Sequence, residues 1–399
     1  MFYHKWKSNL YTFLTPAFAF LLLFHFETSA KAMQPTCEGL FKQPYEYGKL
    51  KPDFKFTKKY TKEIILENAV TDQCSLQTCH LYAWTAHLES NYKKRTNENI
   101  NLSEDYLAMM HWLLSSAMML DKATVFRSLP GLGASLDSSR NLIAQYGLMP
   151  ASAWNPKIKF NSAENVDQLN YYLQTLIIQT TEAIKATKND EQKRQVLLNA
   201  SNQLINFFEK FVGIAPEKFD FKGATYTPQE FQQKFFPEVS TTLYLADMFD
   251  HEVANLGQVE EKAQKKQADV IILQPNDNKK TVRLNFLEQK IMETIDSGQT
   301  VLLGYNHDST YVDLKTGIMS ISGFPTLEGL KPLTRSQRQN YGIISGHAVV
   351  IVGYDKDPKS GQLIKLKIRN SYGSEVGDGG YFHMYRDYFR AFVIGIAFN

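Results

Sequence analysis

Cys79 heads the run CHLYAWTAHL, which is apolar or helix-compatible nearly throughout, and Gln73 precedes it by six residues. A cysteine in the first turn of a buried helix sits at the positive end of the helix dipole, which favours thiolate, the nucleophilic form of sulfur. Such a nucleophile needs a base to share its proton and a third group to orient that base. Among the nine histidines, His347 opens HAVVIVGY, an apolar run read as a buried strand, and follows Ser345 and Gly346, small residues that leave room around an imidazole. His4 and His25 lie near the N-terminus, and His80, His87 and His111 fall on predicted helices. In LIKLKIRN the alternation puts Ile364, Leu366, Ile368 and Asn370 on one face and Lys365, Lys367 and Arg369 on the other. An inward asparagine must satisfy its amide, and holding a histidine is one way to do so. Gln73 adds a side-chain amide able to donate to the oxyanion formed when Cys79 attacks a carbonyl. Each residue alone has a plainer reading, such as a core cysteine or a turn asparagine; the four together describe acyl chemistry on a thiol.

These side chains need two kinds of scaffold. From Cys79 to Tyr92 the helix is apolar nearly all round and is therefore buried. NLSEDYLAMMHWLLSSAMML gives a second helix, with Ser103 as N-cap and Glu104 and Asp105 in its first turn. A short helix with Leu142 and Ile143 inward stops at Gly147 and Pro150, and long amphipathic patterns follow from about Asn165 to Thr187 and from Glu191 to Val212. From Asp269 onward the texture changes to DVIIL, a helix from about Asn285 to Asp296, then TVLLGY, HAVVIVGY, LIKLKIRN and GGYFHMY, short strands with Gly, Asn, Asp and Pro between them. A helical block thus precedes a sheet.

The chain of 399 residues affords a sizeable core, with 43% apolar residues. Its formal charge of +3 lacks the basic excess of a nucleic-acid binder, so no nucleic-acid partner is expected. Lys5 and Lys7, an uncharged run from Ser8 to Phe26 and the small residues Ala30 and Ala32 read as a signal peptide over 1–32, cleaved after Ala32. The rival reading is an uncleaved membrane anchor. Export implies an oxidising compartment, a secreted or periplasmic protein, and one odd cysteine among Cys37, Cys74 and Cys79.

The order of motifs resembles the papain-like cysteine peptidases: Gln, Cys six residues on, Gly-His-Ala-Val before VGY, and Asn-Ser-aromatic-Gly before GGY. LSEDYL, NLIAQYGLMP, YTPQEF and the wide Cys-to-His separation are similar to the bleomycin hydrolase and aminopeptidase C branch. The resemblance implies an α+β, two-lobed fold over 68–399, with a helical lobe, an antiparallel β lobe and a helical insertion at about 155–265, after a lead segment over 33–67. It implies Cys79, His347 and Asn370 as catalytic residues and Gln73 in the oxyanion site. Gly133, Ala134, Gly346 and Tyr372 would line the substrate path. Peptides or proteins are the implied substrates; no metal or organic cofactor is needed, and oligomerisation is left open.

Three departures stand out. His80 and Tyr372 replace tryptophans of the family pattern, the second of which shields the Asn-His bond, so a wetter pair is expected; Ala134 replaces a glycine. With Cys79 as the reactive thiol, Cys74 is expected to pair with Cys37, closing a loop worth about 3 to 4 kcal/mol in the chain-entropy picture. The resemblance implies, from the short stretch before Cys79 and the ending soon after YFRAFVIGIAFN, that neither a long inhibitory propeptide nor the cleft-filling C-terminal arm of bleomycin hydrolases is to be expected. An endopeptidase or broad peptidase is therefore expected, with a strict aminopeptidase and an inactive binding protein on the same scaffold as alternatives.

Overall fold

The computed structural model describes residues 48–74, 77–122, 133–247, 270–273, 280–325 and 344–399. Helix α1 (Cys79–Thr96) is buried along most of its length and ends on Asn97 in the left-handed conformation. Around it pack α2 (Glu104–Lys122) and α3 (Leu136–Tyr146). Ser103 Oγ accepts from Tyr106 N at 3.1 Å, and Ser135 likewise caps α3 through Ser138 N. Gly147 ends α3 with φ of 80°, and a Cβ there would lie 2.2 Å from the Pro228 carbonyl, so only glycine fits. The amphipathic pair α4 (Ala163–Lys185) and α5 (Asp190–Phe211) packs beside α2. A hairpin of β2 (Phe219–Phe221) and β3 (Ala224–Tyr226) then leads to α6 (Pro228–Phe235), opened by a capping box between Thr227 and Glu230.

The second half is a ten-stranded sheet, mainly antiparallel. Its middle is β6 (Val301–Asp308), β9 (Ile344–Lys356) and β10 (Leu363–Arg369). Beyond β10 lie β11 (Tyr381–Tyr385), β8 (Ile318–Met319) and β7 (Val312–Asp313), and beyond β6 lie β12 (Val393–Phe398), β4 (Leu243–Asp247) and β5 (Val270–Leu273). β11 with β8 and β4 with β5 are parallel. Helices α7 (Lys280–Asp296) and α8 (Arg386–Phe392) pack against the sheet. Leu302, Ala348, Val350 and Val352 join the core shared with the helical lobe, while Leu303, Val349 and Ile351 join a second core on the other face. Burial on both faces explains why HAVVIVGY is apolar without interruption. The lead segment crosses this sheet: β1 (Lys62–Glu63) pairs with β9, and the Tyr60 hydroxyl meets His383 Nδ1 on β11.

Two expectations need correction. His347 does not open its strand: β9 begins at Ile344, because β6 pairs with it from Asp308↔Ile344 onward. The simple alternation in β10 also fails. Register shifts between Leu363 and Lys365 and between Lys367 and Ile368 turn Ile364 outward, at 37% exposure, and bury Lys365 and Arg369. Lys365 Nζ is satisfied by the Thr57 carbonyl and hydroxyl, and Arg369 donates to Ala69 O.

Trp84 ties α1 to the first residue of α3, with its indole N–H donating to Leu136 O at 2.8 Å. Trp84→Phe removes that bond and ring volume from a fully buried site, and is expected to cost about 1 to 3 kcal/mol in urea unfolding.

Candidate active site

The N-terminus of α1 docks against β9, which brings Cys79 to Ala348, the residue after His347. Cys79 is the free thiol and is buried; Cys74 is disulfide-bonded, and Cys37 lies outside the described residues. The Cys79 sulfur lies close to the backbone N–H groups of Ala348 and His80, which favour its charged form. Ala348 follows His347 in the strand, so the sulfur is held against the β lobe at the residue next to the imidazole. His347 Nε2 lies 2.7 Å from Asn370 Oδ1. Asn370 Oδ1 also accepts Ser371 N at 2.8 Å. An amide oxygen can only accept, so Nε2 carries the proton and Nδ1 holds the lone pair.

Gln73 is buried and crosses between the lobes. Its backbone N–H donates to Ser371 O at 2.9 Å, Gly373 N donates to Thr71 O at 3.2 Å, and Asp72 and Tyr372 form an isolated bridge. Ser371 Oγ donates to Gln73 Oε1 at 2.5 Å, so the carbonyl end of the glutamine is fixed. Tyr372 stacks on His347 with centroids 5.0 Å apart and planes at 21°. Far from wet, the pair is buried: His347 is 7% and Asn370 4% exposed. The Tyr372 face covers the imidazole, and Tyr305 and His307 complete the enclosure edge-on, with ring centroids 5.6 and 5.7 Å from that of His347. Gly346 is exposed with nothing within 4 Å of where a Cβ would be. Gly133 is exposed beside Gln77, and Ala134 is half-buried. His80 points away: its Nδ1 lies 2.7 Å from Ser139 Oγ and its ring packs on His111. Among the described residues no group of three or more His, Cys, Asp or Glu side chains is placed to hold a metal ion.

Burial pushes the Cys79 thiol up to about 11, and the backbone N–H groups beside it oppose that rise. Burial drives His347 down to about 4, and its hydrogen bond to Asn370 opposes that fall. Between these values a lone thiol and a lone imidazole are both neutral, so the helix dipole does not by itself give a thiolate. A thiolate here would require a nearby group to take its proton and stabilise the charge.

Several of these groups escaped sequence reasoning. Ala348 acts through its backbone, which carries no sequence signal. Ser371 follows Asn370 directly, and that adjacency was its only clue. Tyr305 and His307 become neighbours of His347 through the pairing Tyr305↔His347, a register that only the folded sheet reveals.

A helical lobe bearing a buried cysteine at a helix start, facing a β lobe that bears a histidine held by an asparagine, defines the class of papain-like cysteine peptidases. The chain belongs to the Peptidase C1-like family, whose pattern matches residues 45–399. It is similar to aminopeptidase W of Lactobacillus delbrueckii subsp. lactis, 24% identical over 66% of this chain and 62% of that one. It is also similar to the mitochondrial cysteine proteinase 1 of Saccharomyces cerevisiae strain S288c, 23% identical over 82% of this chain and 74% of that one. Aminopeptidase C of Lactococcus lactis subsp. cremoris is 23% identical over 63% and 59%. This chain thus spans about three fifths to three quarters of these relatives' lengths. A crystal structure of pepW from Lactobacillus rhamnosis HN001 shares the fold, with a TM-score of 0.64 at 18% identity over 86% of this chain and 82% of that one.

The expected secreted or periplasmic location is corrected by these relatives. One is a mitochondrial enzyme by name, and none is named as an exported protein, so these relatives do not support export. The apolar run at 8–26 lies outside the described residues, among which no helix is long and apolar enough to cross a membrane.

In the wild type, alkylation of Cys79 by iodoacetamide is expected to proceed near neutral pH. In His347→Ala, where the thiol has no proton acceptor, the rate should instead climb only as pH rises toward about 11. Superimposable rate profiles would show that the two groups exchange no proton.

Proposed function

We propose that the chain hydrolyses peptide bonds through Cys79, His347 and Asn370, with Gln73 at the oxyanion. The observation that carries this reading is the joint placement of the sulfur at Ala348 N–H and of His347 Nε2 2.7 Å from Asn370 Oδ1. In this reading His347 Nδ1 takes the thiol proton as Sγ attacks the carbonyl carbon, and the carbonyl oxygen becomes an oxyanion. The Gln73 amide and the Cys79 backbone N–H stabilise that charge. His347 then gives its proton to the leaving nitrogen, and the thioester remains. Water attacks it with His347 as base, which releases the acid and restores the thiol. The Tyr372 face against the ring favours the imidazolium form in between.

The relatives named aminopeptidases W and C favour release of residues from the N-terminus of a peptide. A second reading, internal cleavage, is favoured by the open, exposed backbone at Gly346, next to His347. Product mapping on a long unmodified peptide separates them: successive single residues from the N-terminus support the first, internal fragments the second. Intact peptide under conditions where Cys79 is reduced and the protein folded would leave an inactive binding protein instead.

Asn370→Ala is expected to lower kcat on the order of tenfold or more with little change in KM, because the asparagine acts on the base and touches no substrate. Steady-state kinetics on the peptide identified by product mapping checks this.

A further inference from the structure

Between α1, β9 and the end of β10 lies a narrow, partly open space of about 10 Å³, room for one water molecule. Thr71, Tyr82, Ala83, Arg369, Asn370 and Ser371 line it together with β9. Asn370 is 4% exposed, and its Nδ2 is buried with no hydrogen-bond partner among the described residues. A buried amide left in that condition is costly. Its neighbour Arg369 cannot help, because a guanidinium only donates and so does Nδ2. The remedy must be an acceptor, and it must fit a space too small for anything beyond a single water. The Thr71 and Tyr82 hydroxyls, which have no side-chain hydrogen bond of their own among the described residues, can accept from the molecule that accepts from Nδ2.

We propose that this space is a built site for one water, and that Thr71 and Tyr82 are positioning residues acting through it on Asn370 and so on His347. The consequence lies in the asparagine's orientation. With the amide turned end for end, NH2 would face His347 Nε2, the imidazole proton would move to Nδ1, and the lone pair needed to receive the Cys79 proton would be lost. Ser371 N–H holds the oxygen end of the amide at 2.8 Å. The water holds the nitrogen end. The inference rests on the reading of His347 as the base, and the two are tested apart.

The test joins a high-resolution crystal structure of the full chain with 15N spectra of its histidines, His347 being assigned by comparison with His347→Gln. The expected results are a water within hydrogen-bond distance of Asn370 Nδ2 and a single His347 tautomer protonated at Nε2. The double variant T71V/Y82F should then show a rising share of the Nδ1-protonated form and a kcat lower on the order of tenfold, the scale seen for outer orienting partners, at unchanged KM. Thr71→Ser should restore the wild-type values. An empty space at high resolution, a chloride revealed by anomalous scattering, or an unaltered 15N spectrum in the folded variant would overturn the proposal. If the double variant does not fold, Thr71→Val read against Thr71→Ser decides in the same way. Peptidase activity surviving in His347→Ala would sink the assignment of the base while leaving the water and the tautomer as they are.

Discussion

The docking of α1 against β9 is the constraint on which the site depends. The nucleophile and base proposed for the two lobes can meet only if the seam between the lobes is closely fixed. The seam is held by backbone contacts that a change of side chain cannot easily remove: Ala348 N–H at the Cys79 sulfur, Gln73 N to Ser371 O and Gly373 N to Thr71 O. Side chains reinforce it. Ser371 and Gln73 join across it, and the Asp72 carbonyl accepts from Asn161 at the foot of the helical lobe. The lead segment adds a strap over the back of the sheet, so the strand carrying His347 is clamped on both sides.

Burial sets the electrostatics of the pair. It raises the thiol and lowers the imidazole, so neither group ionises alone near neutrality. Each neighbour acts on one half of this balance. The backbone N–H groups lower the cost of a thiolate, while Asn370 and the face of Tyr372 lower that of an imidazolium. His307 stays neutral, since burial and the nearby His347 drive it down to about 3, and it brings no competing charge to the base. A dry, enclosed pair strengthens each of these interactions. Tyr372, stacked on the imidazole, keeps the pair covered.

Much of this was legible in the chain. The helix start at Cys79, the cap at Ser103 and the stop at Gly147 all follow from local chemistry. The strands of the sheet announce themselves by apolar runs between Gly, Asn and Asp. Asn370 was placed on the inner side by an alternation that the bulges in β10 break, so the side was right and the counting was not. What stayed hidden depends on register and on backbone groups. Tyr305 and His307 lie some forty residues before His347, and nothing local says which residues of β6 will face it. Location lay beyond the sequence in another sense: an apolar N-terminal run fits more than one destination, and the relatives, one of them mitochondrial by name, do not support export.

The most direct measurement is covalent capture. The folded chain is incubated at neutral pH with an epoxysuccinyl inhibitor of cysteine peptidases, and the adduct is located by peptide mass mapping in the wild type and in His347→Ala. An adduct on Cys79 in the wild type that is lost in the variant is the expected result, because only a thiol able to pass its proton to His347 opens the epoxide. An unmodified Cys79 in folded wild-type protein, or equal labelling in both, would contradict a proton-sharing pair assembled across the seam.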